Sequence, residues 1–426
     1  MKTNIFWFRR DLRLDDNIGL NSALSSGNPV LGIFIFDEDI IENLPNDDAR
    51  ISFIYQKLEE INKRLNTVNS SLLVIKGNPI NVFKNLIKEY EIENLYSNLD
   101  YEPYAIDRDK KISDLLKKNK IHHFQYKDQV IFGPTEILKE NSLPYTVFTA
   151  YKNKWLSKFK QESISTEIFL NFSNFLKIKN QFPLLSEMGF LKSKIKVVDF
   201  NLESIRNYSS QRDYPFLNAG TSLSVHLRFG TISIRHVINS IPNNETTFLS
   251  ELIWREFFMQ ILFHFPYVVN SNFKKKYDEI QWKNDKKDFQ NWCDGKTGYP
   301  IVDAGMQELK ITGYMHNRAR MIVAGFLCKH LLIDWRWGER YFSLKLLDYE
   351  LSSNNGNWQW AAGTGCDSAP YFRIFNPITQ QNRFDKDFIY IKRWIKDFDK
   401  ENYIESIVEH DFARKRALQA YKLALE

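Results

Sequence analysis

The chain has 426 residues, a length that favours two domains over a single core. Hydrophobic residues make up 43% and charged residues 26%, a globular balance, and no internal repeat or low-complexity tail is present. Lys and Arg number 58 against 52 Asp and Glu, and the resulting +6 suits a polyanionic partner without demanding one.

Aromatic residues reach 15%, with 33 Phe, 20 Tyr and 10 Trp, more than packing alone asks for and a weak sign of stacking chemistry. Cys293, Cys328 and Cys366 are odd in number, far apart and in no metal-ligand spacing, which fits a reducing cytosol and no bound metal. The start, Met1 to Arg10, has an apolar run too short for a signal peptide before charges interrupt it. The longest apolar stretch, Met321 to Leu332, is interrupted by Lys329 and His330, so no membrane span is expected.

Residues 1 to about 130 alternate β-branched or aromatic runs with amphipathic stretches, the pattern of a parallel sheet covered by helices. Strands are predicted at Asn4 to Phe8, Val30 to Phe36, Leu72 to Ile75, Asn94 to Ser97 and His123 to Tyr126. Helices are predicted at Ala49 to Asn66, Ile80 to Tyr90 and Ile106 to Asn119. This is a small, doubly wound α/β domain. It has no Gly-x-Gly-x-x-Gly turn after its first strand, which speaks against dinucleotide binding in the usual crevice. That strand runs instead into Arg9-Arg10-Asp11-Leu12-Arg13-Leu14-Asp15-Asp16-Asn17, a charge density that reads as a carboxylate network or an interdomain contact.

From 131 to 200 the periodicity weakens, and the stretch reads as a long interdomain linker. Beyond 201 helical periodicity dominates, with helices predicted at Phe248 to Phe265, Val302 to Thr312, His316 to Asp334 and Gly338 to Leu347. Residues 201 to 426 therefore form a mostly α-helical domain.

Five clusters in this half carry chemistry. Tyr208, Arg212 and the run Gly220-Thr221-Ser222-Leu223-Ser224 offer hydroxyls and backbone N–H groups before a helix, either a pyrophosphate cradle or a plain cap. Glu251, Trp254 and Arg255 share one helical face and suit a nucleotide or an ordinary salt-bridged helix. Gly295 to Gly305 forms a turn feeding a helix, without Walker spacing and with no chemistry assigned. Thr312 to Met321 joins Asn317, Arg318, Arg320 and Met321, either a solvated basic face or a surface between nucleic acid and cofactor. Asn354 to Asn376 mixes Trp358 and Trp360 with Gly356, Gly363 and Gly365 and with Arg373. By itself it reads as a Gly-rich loop beside a helical core, its glycines able to admit a flat ligand.

Taken together, Trp7-Phe8-Arg9-Arg10-Asp11-Leu12-Arg13 and these clusters resemble the photolyase and cryptochrome family along nearly the whole chain, most closely the class I cyclobutane pyrimidine dimer photolyases. The resemblance implies an α/β antenna-type domain joined by a linker to a helical domain that binds FAD and DNA. It implies FAD contacts from Tyr208, Thr221, Ser222, Leu223, Ser224, Glu251, Asn317, Arg320, Asp348, Glu350 and Asn354, with the amide of Asn354 facing flavin N5. The family's Thr-Ser-x-Leu-Ser element is altered here, with Gly220 at its Thr, Thr221 at its first Ser and Ser222 at the variable position.

By the same resemblance a flipped dimer lies between Trp254 and Trp360, held by Glu251, Asn317 and Met321. Trp282, Trp335 and Trp358 form an electron-transfer triad, and Arg212, Arg255, Arg318 and Arg373 meet DNA phosphates. Ala105 stands where folate-binding members carry glutamate, so a deazaflavin, another flavin or no antenna stay open. The implied activity is light-driven dimer repair by photoexcited reduced FAD. A flavin photoreceptor and 6-4 photoproduct repair are the alternatives, the latter calling for a histidine pair of which His316 is one. The expected protein is a cytoplasmic monomer, nucleoid-associated if bacterial.

Overall fold

A computed structural model describes residues 2–160 and 171–426; Met1 and residues 161–170, within the expected linker, lie outside the described residues. Packing divides the chain into two compact units. The first comprises Met1–Glu136, Trp155–Leu202 and Ser222–Ile241, and the second Ile137–Lys154, Glu203–Thr221 and Pro242–Glu426. Residues 137–154 and 155–200 thus join different units, and Phe148–Phe159 is a helix.

The first unit is a five-stranded parallel sheet of β1 (Thr3–Phe8), β2 (Val30–Asp37), β3 (Leu73–Gly77), β4 (Ile92–Asn98) and β5 (His122–Tyr126) in the order β3-β2-β1-β4-β5. Helices cover both faces, so β1 and β2 are buried throughout and read as continuous apolar runs. Each predicted strand is present to within two residues at either end. Four of its helices are Ile18–Leu24, Ala49–Asn66, Pro79–Glu89 and Pro103–Lys118, and Glu38–Ile41, Leu223–Phe229 and Ile234–Asn239 are further ones. Asn78 caps the third by accepting from the N–H groups of Ile80 and Asn81, with Pro79 preset at the first helical position. Ile18–Leu24, one of the helices the periodicity does not reveal, has only seven residues and is set by its cap, Asn17, whose side chain accepts from Leu20.

The arginine-rich segment after β1 is a carboxylate network inside this unit. Arg13 and Arg235 both bind the buried Asp128, at 2.7 and 2.8 Å, Arg10 meets Asp100 at 3.2 Å, and Arg9 pairs with Asp109. The guanidinium groups of Arg9 and Arg108 each lie 4.8 Å from the centre of the Trp7 ring.

The second unit has no strand among its described residues. Its core gathers Trp292, Trp335 and Trp358 with the helices Pro300–Thr312 and Asn317–Gly325. The helix predicted across His316 to Asp334 stops at Gly325 and continues as a π turn, Phe326–His330, which carries Lys329 inward to donate to Ala362 O at 2.7 Å. The segment Asn354 to Asn376 is not all loop: Leu351–Ala362 is a helix, ended by Gly363 in the left-handed conformation. Gly356 makes room for protein and not for a ligand, since a Cβ there would lie 2.1 Å from the Phe258 ring. In the Gly295–Gly305 turn, the buried Asp303 accepts from Thr297 N and Oγ1, both at 2.7 Å, and from the Tyr403 hydroxyl at 2.8 Å, an internal anchor.

Candidate functional site: a flat pocket in the helical unit

One pocket in the second unit collects residues from four segments, one of them the Trp335–Lys345 helix, which supplies Phe342. The Asn317–Gly325 helix supplies Asn317, Arg320 and Met321, the loop before Leu351 supplies Asp348 and Glu350, and the Leu351–Ala362 helix supplies Asn354, Asn357, Trp358, Trp360 and Ala361. Asn354, Asn357, Trp358 and Ala361 are spaced i, i+3, i+4, i+7, so one helical face makes a wall. About 630 Å³ lies between these atoms, part of it open to solvent.

The wall is polar at its edges. Arg320 binds Asp348 Oδ2 at 2.8 Å and Met315 O at 2.7 Å, so it is not a solvated cation. Burial works against the Arg320 charge, and the Asp348 carboxylate outweighs it, holding the guanidinium protonated. Asp348 Oδ1 and Trp358 Nε1 are buried without a partner among the described residues. Asn354 donates through Nδ2 to Glu339 O at 3.2 Å and Oε1 at 2.9 Å, leaving its oxygen without a protein donor among the described residues. Orphaned acceptors and an indole N–H around a narrow pocket fit a flat heteroaromatic ring with donors and acceptors on its rim.

Other residues named from the sequence lie outside this wall. Glu251 is engaged with Arg212 at 2.5 Å. Phe148 lies flat on the Trp254 indole, with centroids 3.6 Å apart and planes 8° apart, so one face of that indole is already covered. Arg255 meets Glu350 at 3.4 Å and Arg318 meets Asp213 at 2.5 Å. Arg373 is exposed and has no ion pair among the described residues. Trp335 and Trp358 are buried in the helical core and Trp282 packs at its half-buried margin.

His316 caps the Asn317–Gly325 helix, its Nδ1 accepting from Arg318 N at 3.1 Å. Burial, with the charges of Arg320 and Arg318, holds its pKa down to about 4, so the ring is neutral near pH 7. Tyr208 belongs to the second unit, with Arg212 stacked 5.2 Å from its ring centre, and Thr221 ends that unit's middle segment. Ser222, Leu223 and Ser224 belong to the first. Ser222 precedes the Leu223–Phe229 helix at φ +54° and makes no side-chain cap bond, so it is not a plain cap.

Sequence reading missed Glu339, Phe148 and Trp292, whose ring centre is 6.2 Å from that of Trp358. Glu339 had one signal: with Trp335 and Phe342 it completes an i, i+4, i+7 face.

The fold and pocket define a protein with an α/β unit and a helical unit shaped to hold a flat cofactor. The family described as DNA photolyase matches residues 4–167, and that described as FAD binding domain of DNA photolyase matches residues 248–401. The chain is 36% identical to a deoxyribodipyrimidine photo-lyase of Halobacterium salinarum over 92% of this chain and 88% of that one. A bacterial class III photolyase from Agrobacterium tumefaciens superposes with a TM-score of 0.88 at 32% identity, covering 99% of this chain and 98% of the other. An archaeal photolyase from Sulfolobus tokodaii with two FAD molecules gives 0.83 at 33% identity, covering 99% and 100%. The chain belongs to the DNA photolyase family and carries its FAD-binding domain. The likeness to a class III member places it in the family without singling out class I. No helix among the described residues is long and apolar enough to cross a membrane, and none of their His, Cys, Asp and Glu side chains form a group of three or more able to hold a metal ion.

Proposed function

We propose that this protein splits cyclobutane pyrimidine dimers in DNA under light, with FAD in the helical unit. The observation that carries the reading is one wall: Asn317, Met321 and Trp360, named for the lesion, line the same pocket as Arg320, Asp348, Asn354 and Trp358, named for the cofactor and its electron supply. When bound, reduced FAD supplies a light-driven electron to the dimer and takes it back after the ring opens.

The protein's own part is positioning. Trp360 offers an indole face to a flipped pyrimidine, the Asn317 amide offers a donor and an acceptor to its edge, and Met321 gives a polarisable contact. Glu251 reaches the lesion by leaving or sharing Arg212, and Trp254, stacked with Phe148 and Phe258, meets it with the part of its indole these rings leave exposed. Trp282, Trp335 and Trp358, running from the margin of the core to the pocket wall, are assigned to electron delivery. Arg212, Arg255 and Arg318 hold carboxylates that phosphates would have to displace, whereas Arg373 is free to bind at once. A neutral, capping His316 disfavours 6-4 photoproduct repair. The Asn354 amide, unable to hand over a proton as a carboxylic acid can, favours repair over a proton-coupled photoreceptor.

The deciding experiment gives purified, photoreduced protein a dimer-containing oligonucleotide in the light. Dimers should disappear only on illumination, and their persistence would sink the proposal. Trp282→Phe should slow photoreduction of bound FAD while repair by already reduced enzyme stays near wild type; unchanged photoreduction removes Trp282 from the relay. Arg373→Ala should weaken binding to damaged and undamaged DNA alike and lower the slope of log K against log salt by about 1. Anisotropy titrations at several salt concentrations check this, and an unchanged slope would take Arg373 off the phosphate path.

A further inference from the structure

Phe148 and Trp254 lie face to face with almost no offset: their centroids are 3.6 Å apart, close to the roughly 3.5 Å at which carbon atoms touch, and their planes differ by 8°. Aromatic quadrupoles by themselves prefer an offset or an edge-on pair. The sandwich is therefore imposed by what holds the two rings. Trp254 is set by its helix, Thr246–His264, on which Phe258 lies 5.3 Å from the indole and Phe257 meets both rings edge-on, Trp254 at 5.5 Å and Phe148 at 5.8 Å. Phe148 opens the Phe148–Phe159 helix, where its N–H has no partner within the helix, and the Asp367 carboxylate accepts it at 3.0 Å. Gln260 donates to Tyr145 O at 3.2 Å, tying the approach to Phe148 to the Trp254 helix. Asp367 belongs to the segment after Gly363 that also carries Arg373. Lys274 pins that segment on both sides of the carboxylate, its backbone N–H donating to Thr364 O and its Nζ to Ser368 Oγ, both at 3.1 Å. The Phe148 ring is buried and Trp254 is half-buried, so the plate lies inward and the indole keeps an accessible part.

We propose that Asp367 is a positioning residue for lesion recognition: through the Phe148 N–H it holds the Phe148 ring as a backing plate, which fixes the plane in which the Trp254 indole meets the flipped dimer. This rests on the reading that Trp254 meets the dimer. A free indole loses rotamer freedom each time it packs on a lesion, whereas a clamped one has lost it beforehand, so more of the stacking energy appears as affinity. Undamaged DNA keeps its bases stacked in the duplex and gains nothing from the plate. The effect is therefore on selectivity for the lesion and not on DNA binding in general.

The test is competition binding of dimer-containing and undamaged oligonucleotides of equal length, read as the ratio of the two affinities. Asp367→Ala should lower the ratio about fivefold, the low end of what one base–aromatic stack is worth. Asp367→Asn keeps an oxygen that accepts from the Phe148 N–H and should hold the ratio near wild type. Phe148→Leu should lower it as Asp367→Ala does, and adding Asp367→Ala to that variant should lower it no further. An Asp367→Asn ratio as low as that of Asp367→Ala overturns the proposal, as does an unchanged ratio in Asp367→Ala or a further loss in the double variant. Trp254→Ala separates the proposal from the reading beneath it. If that variant leaves the ratio unchanged, Trp254 does not meet the dimer and both fall; if it lowers the ratio while Asp367→Ala does not, only Asp367 is removed. Asp367→Leu, which fills similar space without an acceptor, replaces Asp367→Ala should the latter fail to fold with FAD bound.

Discussion

Replacing Gly338 by alanine should destabilise the helical unit by about 3 kcal/mol, the upper end of overpacking costs. A Cβ there would lie 2.1 Å from Trp358 Cη2 and 2.6 Å from Leu327 Cδ2, distances no small adjustment relieves. The roughly 1 kcal/mol that alanine gains over glycine inside a helix is too small to compensate. Trp358 is buried on one side and lines the pocket on the other, so the indole must shift toward the pocket or the Trp335–Lys345 helix must move away. FAD content and photoreduction should fall with stability. Gly325→Ala is the control, because its Cβ would meet nothing nearer than Phe375 at 4.0 Å. Chemical denaturation of both variants checks the difference, and a Gly338→Ala midpoint matching wild type would contradict the packing described.

The second large effect is on recognition. Trp360→Ala should weaken binding to dimer-containing DNA by about 1–3 kcal/mol, or roughly 5- to 150-fold, the usual worth of one base–aromatic stack. Undamaged DNA of the same length should bind nearly as before, since phosphate contacts do not pass through this indole. Photoreduction should also persist, because Trp358 is the member of the pair set in the core. Competition binding with damaged and undamaged oligonucleotides separates these outcomes. An equal loss on both would make Trp360 a general DNA contact, and no loss would remove it from lesion binding.

The indoles and the glycines also mark where sequence reading stopped. Gly338 read as the start of a helix and Gly356 as part of a loop, yet each holds space for a particular ring, Trp358 and Phe258 respectively. The Trp-x-Trp in a glycine-rich context read as a loop, because local propensity counts glycine against a helix while the buried rings that stabilise this one come from elsewhere. Arginines 212, 255 and 318 read as free cations for phosphate. Their carboxylate partners lie 39, 95 and 105 residues away, a pairing that no local pattern encodes.

What the sequence determined by itself is whatever rests on local pattern. The strands follow from β-branched and aromatic runs, continuously buried in β1 and β2, the Ala49–Asn66 and Pro79–Glu89 helices from caps and periodicity, and the family from motifs along most of the chain. Only the tertiary structure decided which side chains meet: that Arg320 binds Asp348, that Phe148 covers Trp254, and that Glu339 turns the Asn354 amide. Such contacts depend on close packing between helices far apart in sequence, where a shift of an ångström changes the partner of an amide or a ring.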